Sequence, residues 1–254
     1  MHKKIKEILL KVGLILVVLL FITTLLTKRF LYFRPSSAML PVEETYRVIR
    51  QGHLHGWLAE GSPESKVVLI CPSYKGNISH SASTIKNLQN LGYSVLAFDY
   101  SGFGKSSGIP SEQQIYEDAS FMVALLRQTY HPNQIVIYGK GLGASVAIYV
   151  ARRYDIPTLI LISPFPSART IVSRTPLKFI ASLFSEFRTL EYLSGYRGKS
   201  LSIHSTQDDF VPYETTLEIH RQVTKHIQTT GTHDKTIIPW DSVKRFIEES
   251  TNNK

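Results

Sequence analysis

The chain has 254 residues, 43% of them apolar, enough to bury one sizeable core, which excludes a largely disordered polypeptide. Its formal charge of +9 is unevenly spread: the first 34 residues hold seven Lys/Arg and one acid, and the rest carries only about +3 with no basic stripe interleaved with aromatics, so no nucleic-acid partner is expected. The single cysteine, Cys71, excludes an intrachain disulfide and a cysteine-built zinc site, and no metal or other cofactor is expected.

In chain order, the first predicted element is the apolar segment ILLKVGLILVVLLFITTLL, residues 8–26, long enough to span a bilayer at ~1.5 Å per residue as one N-terminal transmembrane helix. A cleaved signal peptide needs a small-x-small site soon afterwards, but TKRFLYFR follows, so the segment reads as an uncleaved anchor. Phe30, Tyr32 and Phe33 with Lys28 and Arg29 suit a membrane interface. Lys3, Lys4, Lys6 and Lys11 before the span slightly outnumber Lys28, Arg29 and Arg34 after it, which favours a cytoplasmic N-terminus and a domain outside the cytoplasm. The expected organisation is an anchor with its flank at 1–34 and one globular domain at 35–254.

After the connector RPSSAMLP, the segments TYRVIRQ and LHGWLAE alternate around Gln51-Gly52-His53, a hairpin signal. Five runs rich in Val, Ile and Leu follow: KVVLICPS, YSVLAFDYSG, QIVIYG, PTLILISPF and KSLSIHSTQD. Helices are predicted near 80–91, 111–129, 142–153, 213–222 and 240–250. Continuous apolar strands alternating with helices predict an α/β fold, a mostly parallel central sheet covered on both faces. About 30 further residues between ISPF and YRGKS, with helical periodicity in LKFIASLFSEF, predict a small helical cap at about 164–197.

In such a sheet, ligands gather at the carboxyl ends of the strands. There, IVIY runs into Gly139-Lys140-Gly141-Leu142-Gly143 and then a helix of small residues, the strand–turn–helix of a G-x-S-x-G nucleophile elbow with Gly141 where the serine would stand. Asp208 follows SLSIHS, and His233 precedes the last helix. Alone, Asp208 reads as a turn residue and His233 as a surface histidine; the order elbow, Asp, His is that of the α/β-hydrolase triad.

These residues, with GNISH, DYSGFGKSSG, QDDFVP and GTHD, make the chain resemble the membrane-anchored, serine-aminopeptidase-like branch of the α/β-hydrolase superfamily over about residues 30–250. Ser101 and Phe103 depart mildly from the family pattern in DYSGFGKSSG. The resemblance implies Asp208 as the triad acid, His233 as the general base and Gly141 at the nucleophile position. It also implies backbone donors of an oxyanion hole at Leu142 and Tyr74, although the loop Pro72-Ser73-Tyr74 departs from the family's His-Gly-Asn. Asp209 and Asp234 read as solvated or locally bonded carboxylates.

Gly141 has no group with which to attack. Ser145 reads as a packing residue and Cys71 as buried and inert, while Ser73 and Tyr74 lie near the expected site without an elbow to activate them. The glycine corner matches neither a P-loop nor a dinucleotide fingerprint. The sequence therefore predicts a membrane-anchored relative of ester, thioester and peptide hydrolases, impaired or non-catalytic as a serine hydrolase, with a small acyl, ester or peptide ligand. The alternatives are a hydrolase that uses His233–Asp208 as a general base, or one with an unrecognised nucleophile. No protein partner is identified.

Overall fold

The run VVLIC is buried at every position, which a strand achieves only between two covering layers. The computed structural model describes residues 2–250 apart from 43–45, 63, 177 and 185; within these, the side chains of residues 2, 25–32 and 183 are outside the description. The strands of the main sheet are β1 (Arg47–Gln51), β2 (Leu54–Ala59), β3 (Val67–Cys71), β4 (Ser94–Phe98), β5 (Ile135–Lys140), β6 (Thr158–Ile162), β7 (Lys199–Ser205) and β8 (Lys225–Thr229). They form one eight-stranded sheet in the order β8-β7-β6-β5-β3-β4-β2-β1. β1 pairs antiparallel with β2 and β2 antiparallel with β4, and every other neighbour is parallel. The expected hairpin is therefore present, with Gln51 opposite Leu54 across Gly52-His53; Thr45, the start of its first segment, lies outside the described residues.

The two buried faces follow the period-2 alternation of the strands. Val68, Ile70, Val136, Tyr138, Ile160 and Ile162 share one apolar cluster with Ile85 and Leu88 of α2 (Ala82–Asn90) and with Val243, Phe246 and Ile247 of α8 (Trp240–Glu249). α4 (Leu142–Arg153) packs on β5 and β6 and against α3 (Glu112–Leu126). α7 (Leu217–Gln222) follows a 3₁₀ turn at Tyr213–Thr216.

The cap differs from expectation. Between β6 and β7 lie α5 (Ala168–Val172), a 3₁₀ turn (Lys178–Leu183) and α6 (Thr189–Ser194), with no long helix among the described residues of LKFIASLFSEF. Phe184 and Phe187 are both fully buried. Phe187 has a positive φ of 52° and gives its N–H to the Glu112 carboxylate instead of to a helical carbonyl. Burial of the two rings has overridden the local periodicity.

Residues Met1–Arg34 and Pro35–Lys254 form two compact units. Within the first, α1 (His2–Tyr32) is a helix of 31 residues, about 46 Å long. Its apolar side chains stand exposed, Leu10 by 75% and Phe21 by 64%, and the hydroxyls of Thr23 and Thr24 bond back to the carbonyls of Leu19 and Leu20. Among the described residues no helix is long and apolar enough to cross a membrane. The expected span at 8–26 ends on residues 25 and 26, whose side chains are outside the description. The interfacial residues Lys28, Arg29, Phe30 and Tyr32 also lie among side chains outside the description.

Candidate active site

At the end of β5 the chain turns through Gly141, φ +55° and ψ −117°, into α4, a backbone conformation that carries strain for any residue with a Cβ. The flanking glycines serve a different need, close approach. A Cβ on Gly139 would lie 2.2 Å from the Gly143 carbonyl oxygen, and one on Gly143 would lie 2.1 Å from the Cys71 carbonyl oxygen. The first turn of α4 thus rests directly on the end of β3, bringing the loop Pro72-Ser73-Tyr74 alongside the turn.

A Cβ built on Gly141 would point at two groups: Ser73 Oγ at 2.9 Å and His233 Nε2 at 3.3 Å. The His233 ring is buried, and its Nδ1 bonds both carboxylate oxygens of Asp208, at 3.1 and 2.9 Å. Nδ1–H therefore donates to Asp208, leaving Nε2 as the acceptor. Nε2 is buried without a hydrogen-bond partner among the described residues, a costly state for a ring nitrogen unless a ligand or reacting group completes it.

Asp208 is held from several sides. Its Oδ1 accepts the backbone N–H groups of Phe210 and Val211, at 3.0 and 2.7 Å. His204 Nε2 bonds the Val211 carbonyl at 2.9 Å and lies 3.4 Å from Asp208 Oδ2. Burial pushes the Asp208 carboxyl upward, but hydrogen bonds from His204 and His233, the His233 charge and the Val211 N–H outweigh it and hold the group well below the usual carboxylate range. Asp209 is local in role: it accepts the His233 backbone N–H at 2.9 Å and so fixes the loop that carries the imidazole.

Asp208, His233 and Gly141 thus converge at the carboxyl ends of β7, β8 and β5. Leu142 begins α4, so its N–H is among the first-turn groups without an intrahelical acceptor. Tyr74 meets the site through its ring, which stacks on Phe210 at 5.3 Å between centroids; Phe210 in turn lies 5.2 Å from the His233 ring and helps exclude solvent. Ser145 is buried, bonded to Thr189 and away from the cleft, and Cys71, which touches the wall of the neighbouring cavity, is fully buried with its thiol pushed up by burial. Sequence reasoning missed His204, although a histidine inside an apolar strand four residues before Asp208 was a usable signal.

Beside the site is a cavity of about 500 Å³, lined by Ser73, Lys75, His80, Tyr138, Lys140 and Trp240 among others. Lys75 pairs with Asp234, and Lys140 Nζ donates to the Asp234 carbonyl at 3.0 Å. Burial lowers the Lys140 ammonium, opposed by the charges of Asp234 and Asp208. A second Ser, His and Asp meet elsewhere, where His53 Nε2 contacts both Ser101 Oγ at 2.8 Å and Asp118 Oδ1 at 3.3 Å. Both contacts use one ring nitrogen, so that group lacks the two-sided imidazole of a proton relay. Among the described residues no His/Cys/Asp/Glu group is arranged to hold a metal.

The family model of serine aminopeptidase S33 matches residues 62–237. An alpha/beta hydrolase domain-containing protein 17B of Xenopus laevis is 26% identical over 174 residues, 63% of this chain and 60% of that protein; its Xenopus tropicalis counterpart is 29% identical over 136 residues and 46% of its length. This chain therefore spans about half to three fifths of these relatives. An uncharacterized protein of Mycobacterium tuberculosis is 31% identical over 203 residues, 73% of this chain and 71% of that one. Among solved structures, an esterase of Pyrococcus furiosus superposes with a TM-score of 0.66 at 20% identity, covering 87% of this chain and 100% of its own; this likeness concerns the fold.

Proposed function

The chain belongs to the serine aminopeptidase-like α/β-hydrolases, and from that premise we propose that it binds a small acyl, ester or peptide ligand at the carboxyl ends of its strands and forms no acyl-enzyme at the elbow. Gly141 occupies the nucleophile position, Asp208 and His233 remain as acid and base, and Leu142 N–H with Tyr74 N–H are the oxyanion donors. One observation carries this reading: a side chain on Gly141 would reach 3.3 Å from a buried, unpartnered His233 Nε2. The base and the place for a nucleophile are both built, and residue 141 supplies no hydroxyl. A serine hydrolase lacking one triad member keeps about 10³–10⁴-fold acceleration over water from binding and the oxyanion hole alone, so turnover of activated short-chain esters at the elbow should not exceed that order. A rate equal to that of an ordinary serine hydrolase that is lost in His233→Ala overturns the reading.

The anchor is part of the same proposal. α1 lies in the membrane as a single pass, its N-terminal lysines on the cytoplasmic side and the hydrolase domain outside the cytoplasm. The exposed apolar surface of the helix supports this, because such a surface is not stable in water. The intact chain should stay in the membrane pellet through alkaline carbonate washing; its release would refute the anchor.

A further inference from the structure

We infer that Ser73 supplies the hydroxyl that Gly141 lacks, so that the nucleophile of this chain stands on the loop after β3 and attacks short acyl esters with His233 as its base. This rests on the preceding reading of His233–Asp208 as the retained base. Ser73 Oγ and His233 Nε2 flank one point, the place of a Cβ on Gly141, at 2.9 and 3.3 Å. They are therefore no more than about 6 Å apart, whereas a proton relay works at about 3 Å. A change of one staggered χ1 well moves a serine oxygen by about 2.3 Å, against the roughly 3 Å by which even that maximum separation exceeds the relay distance. No hydrogen bond ties the Ser73 hydroxyl down among the described residues.

Three features make this hydroxyl more than a bystander. His233 Nε2 is oriented by Asp208 and has no other acceptor role filled. Ser73 stands between the elbow and a neighbouring cavity of about 500 Å³, which it lines and which Gly141, Leu142 and His233 do not, whereas Ser145 is buried against Thr189. The loop is also anchored, since the Tyr100 hydroxyl donates to the Pro72 carbonyl at 3.2 Å and Tyr74 stacks on Phe210. A nucleophile placed by a loop with free χ1 is less preorganised than one on an elbow, consistent with slow turnover.

The chemistry balances without a cofactor. Ser73 Oγ bonds the ester carbonyl carbon as its proton passes to His233 Nε2, and the carbonyl oxygen takes the charge beside the Leu142 N–H. Collapse breaks the bond to the alkoxy oxygen, which leaves as the alcohol with the proton from Nε2. Water then attacks the acyl-Ser73 ester, gives its proton to Nε2, and the acid departs as Ser73 recovers its hydroxyl.

The test uses the full chain in detergent, a fluorophosphonate probe with peptide mapping, and p-nitrophenyl acetate hydrolysis. Phosphonylation should map to Ser73 and vanish in Ser73→Ala and in His233→Ala. Hydrolysis should fall by about 10²–10⁴-fold in either variant, and the double variant should lose no more than either single one, because the two groups act as a unit. Ser73→Cys should restore a covalent acetyl adduct, an outcome a structural role would not give. A label on another residue, no label, or hydrolysis that survives Ser73→Ala while requiring His233 overturns the inference and leaves the base intact, with water as its substrate. Hydrolysis indifferent to His233→Ala overturns the base as well.

Discussion

Placing serine at the elbow, Gly141→Ser, perturbs both backbone and cleft. With φ +55° and ψ −117°, a residue with a Cβ is strained by about 1–3 kcal/mol. The new Cβ would also stand 2.9 Å from Ser73 Oγ and 3.3 Å from His233 Nε2. The closer contact is with the end of a short side chain that can rotate away, so the main cost is the backbone's. At about 2–4 °C per kcal/mol for a domain of this size, Tm should fall by about 2–12 °C. The new Oγ, one bond beyond that Cβ, lies within reach of Nε2. Thermal unfolding followed by p-nitrophenyl acetate hydrolysis should therefore show a less stable protein with a gain of at least about 10²-fold in turnover. The gain should vanish in Gly141→Ser/His233→Ala, and Gly141→Ser/Ser73→Gly should recover part of the lost stability while keeping activity. A Gly141→Ser protein that folds, shows no loss of Tm and neither hydrolyses the ester nor takes the fluorophosphonate would refute the assignment of residue 141 to the nucleophile position.

Gly143→Ala should cost more than its one methyl suggests, because the contact is with the backbone carbonyls of Cys71 and Pro72 at 2.1 and 2.4 Å; denaturant unfolding should show a loss at or above the upper end of the usual 1–3 kcal/mol of overpacking, about 3 kcal/mol. His204→Leu removes a donor from the Asp208 cluster and leaves the Val211 carbonyl without its partner, so unfolding should register a loss of about 1–3 kcal/mol, and unchanged stability would deny His204 that role. His220 is lowered to about 3 from 6.5, chiefly by burial and then by the charges of His226 and His204. Between those values the unfolded chain binds a proton that the folded chain does not, so stability should fall as pH drops from 6.5 toward 3. In His220→Leu this part of the acid slope of Tm should flatten, and identical slopes would contradict the assignment. Asp208 acts lower on the scale: its pKa is depressed from 3.8, so its contribution is complete above that value and lost as pH falls below it.

The sequence alone determined what repeats locally. Five apolar runs spaced by helical segments specify a parallel sheet, because a strand with both faces apolar is stable only between two layers. The glycines of residues 139–143 specify a tight strand-to-helix turn, and the order of that turn, Asp208 and His233 specifies which loops meet at the strand ends. Periodicity failed in the cap, where LKFIASLFSEF has helical spacing but Phe184 and Phe187 are drawn into the core and Phe187 turns to positive φ. Tertiary structure decided whatever depends on residues far apart in the chain. Ser73 faces Gly141 because α4 rests on the end of β3, and Asp209 holds the backbone of His233 because the loops after β7 and β8 lie side by side. The second histidine at Asp208 is set by the packing of β7 against the turn at Val211. Local patterns encode burial and backbone period; which hydroxyl stands before an imidazole is fixed only when the strands are paired and the turns are packed on them.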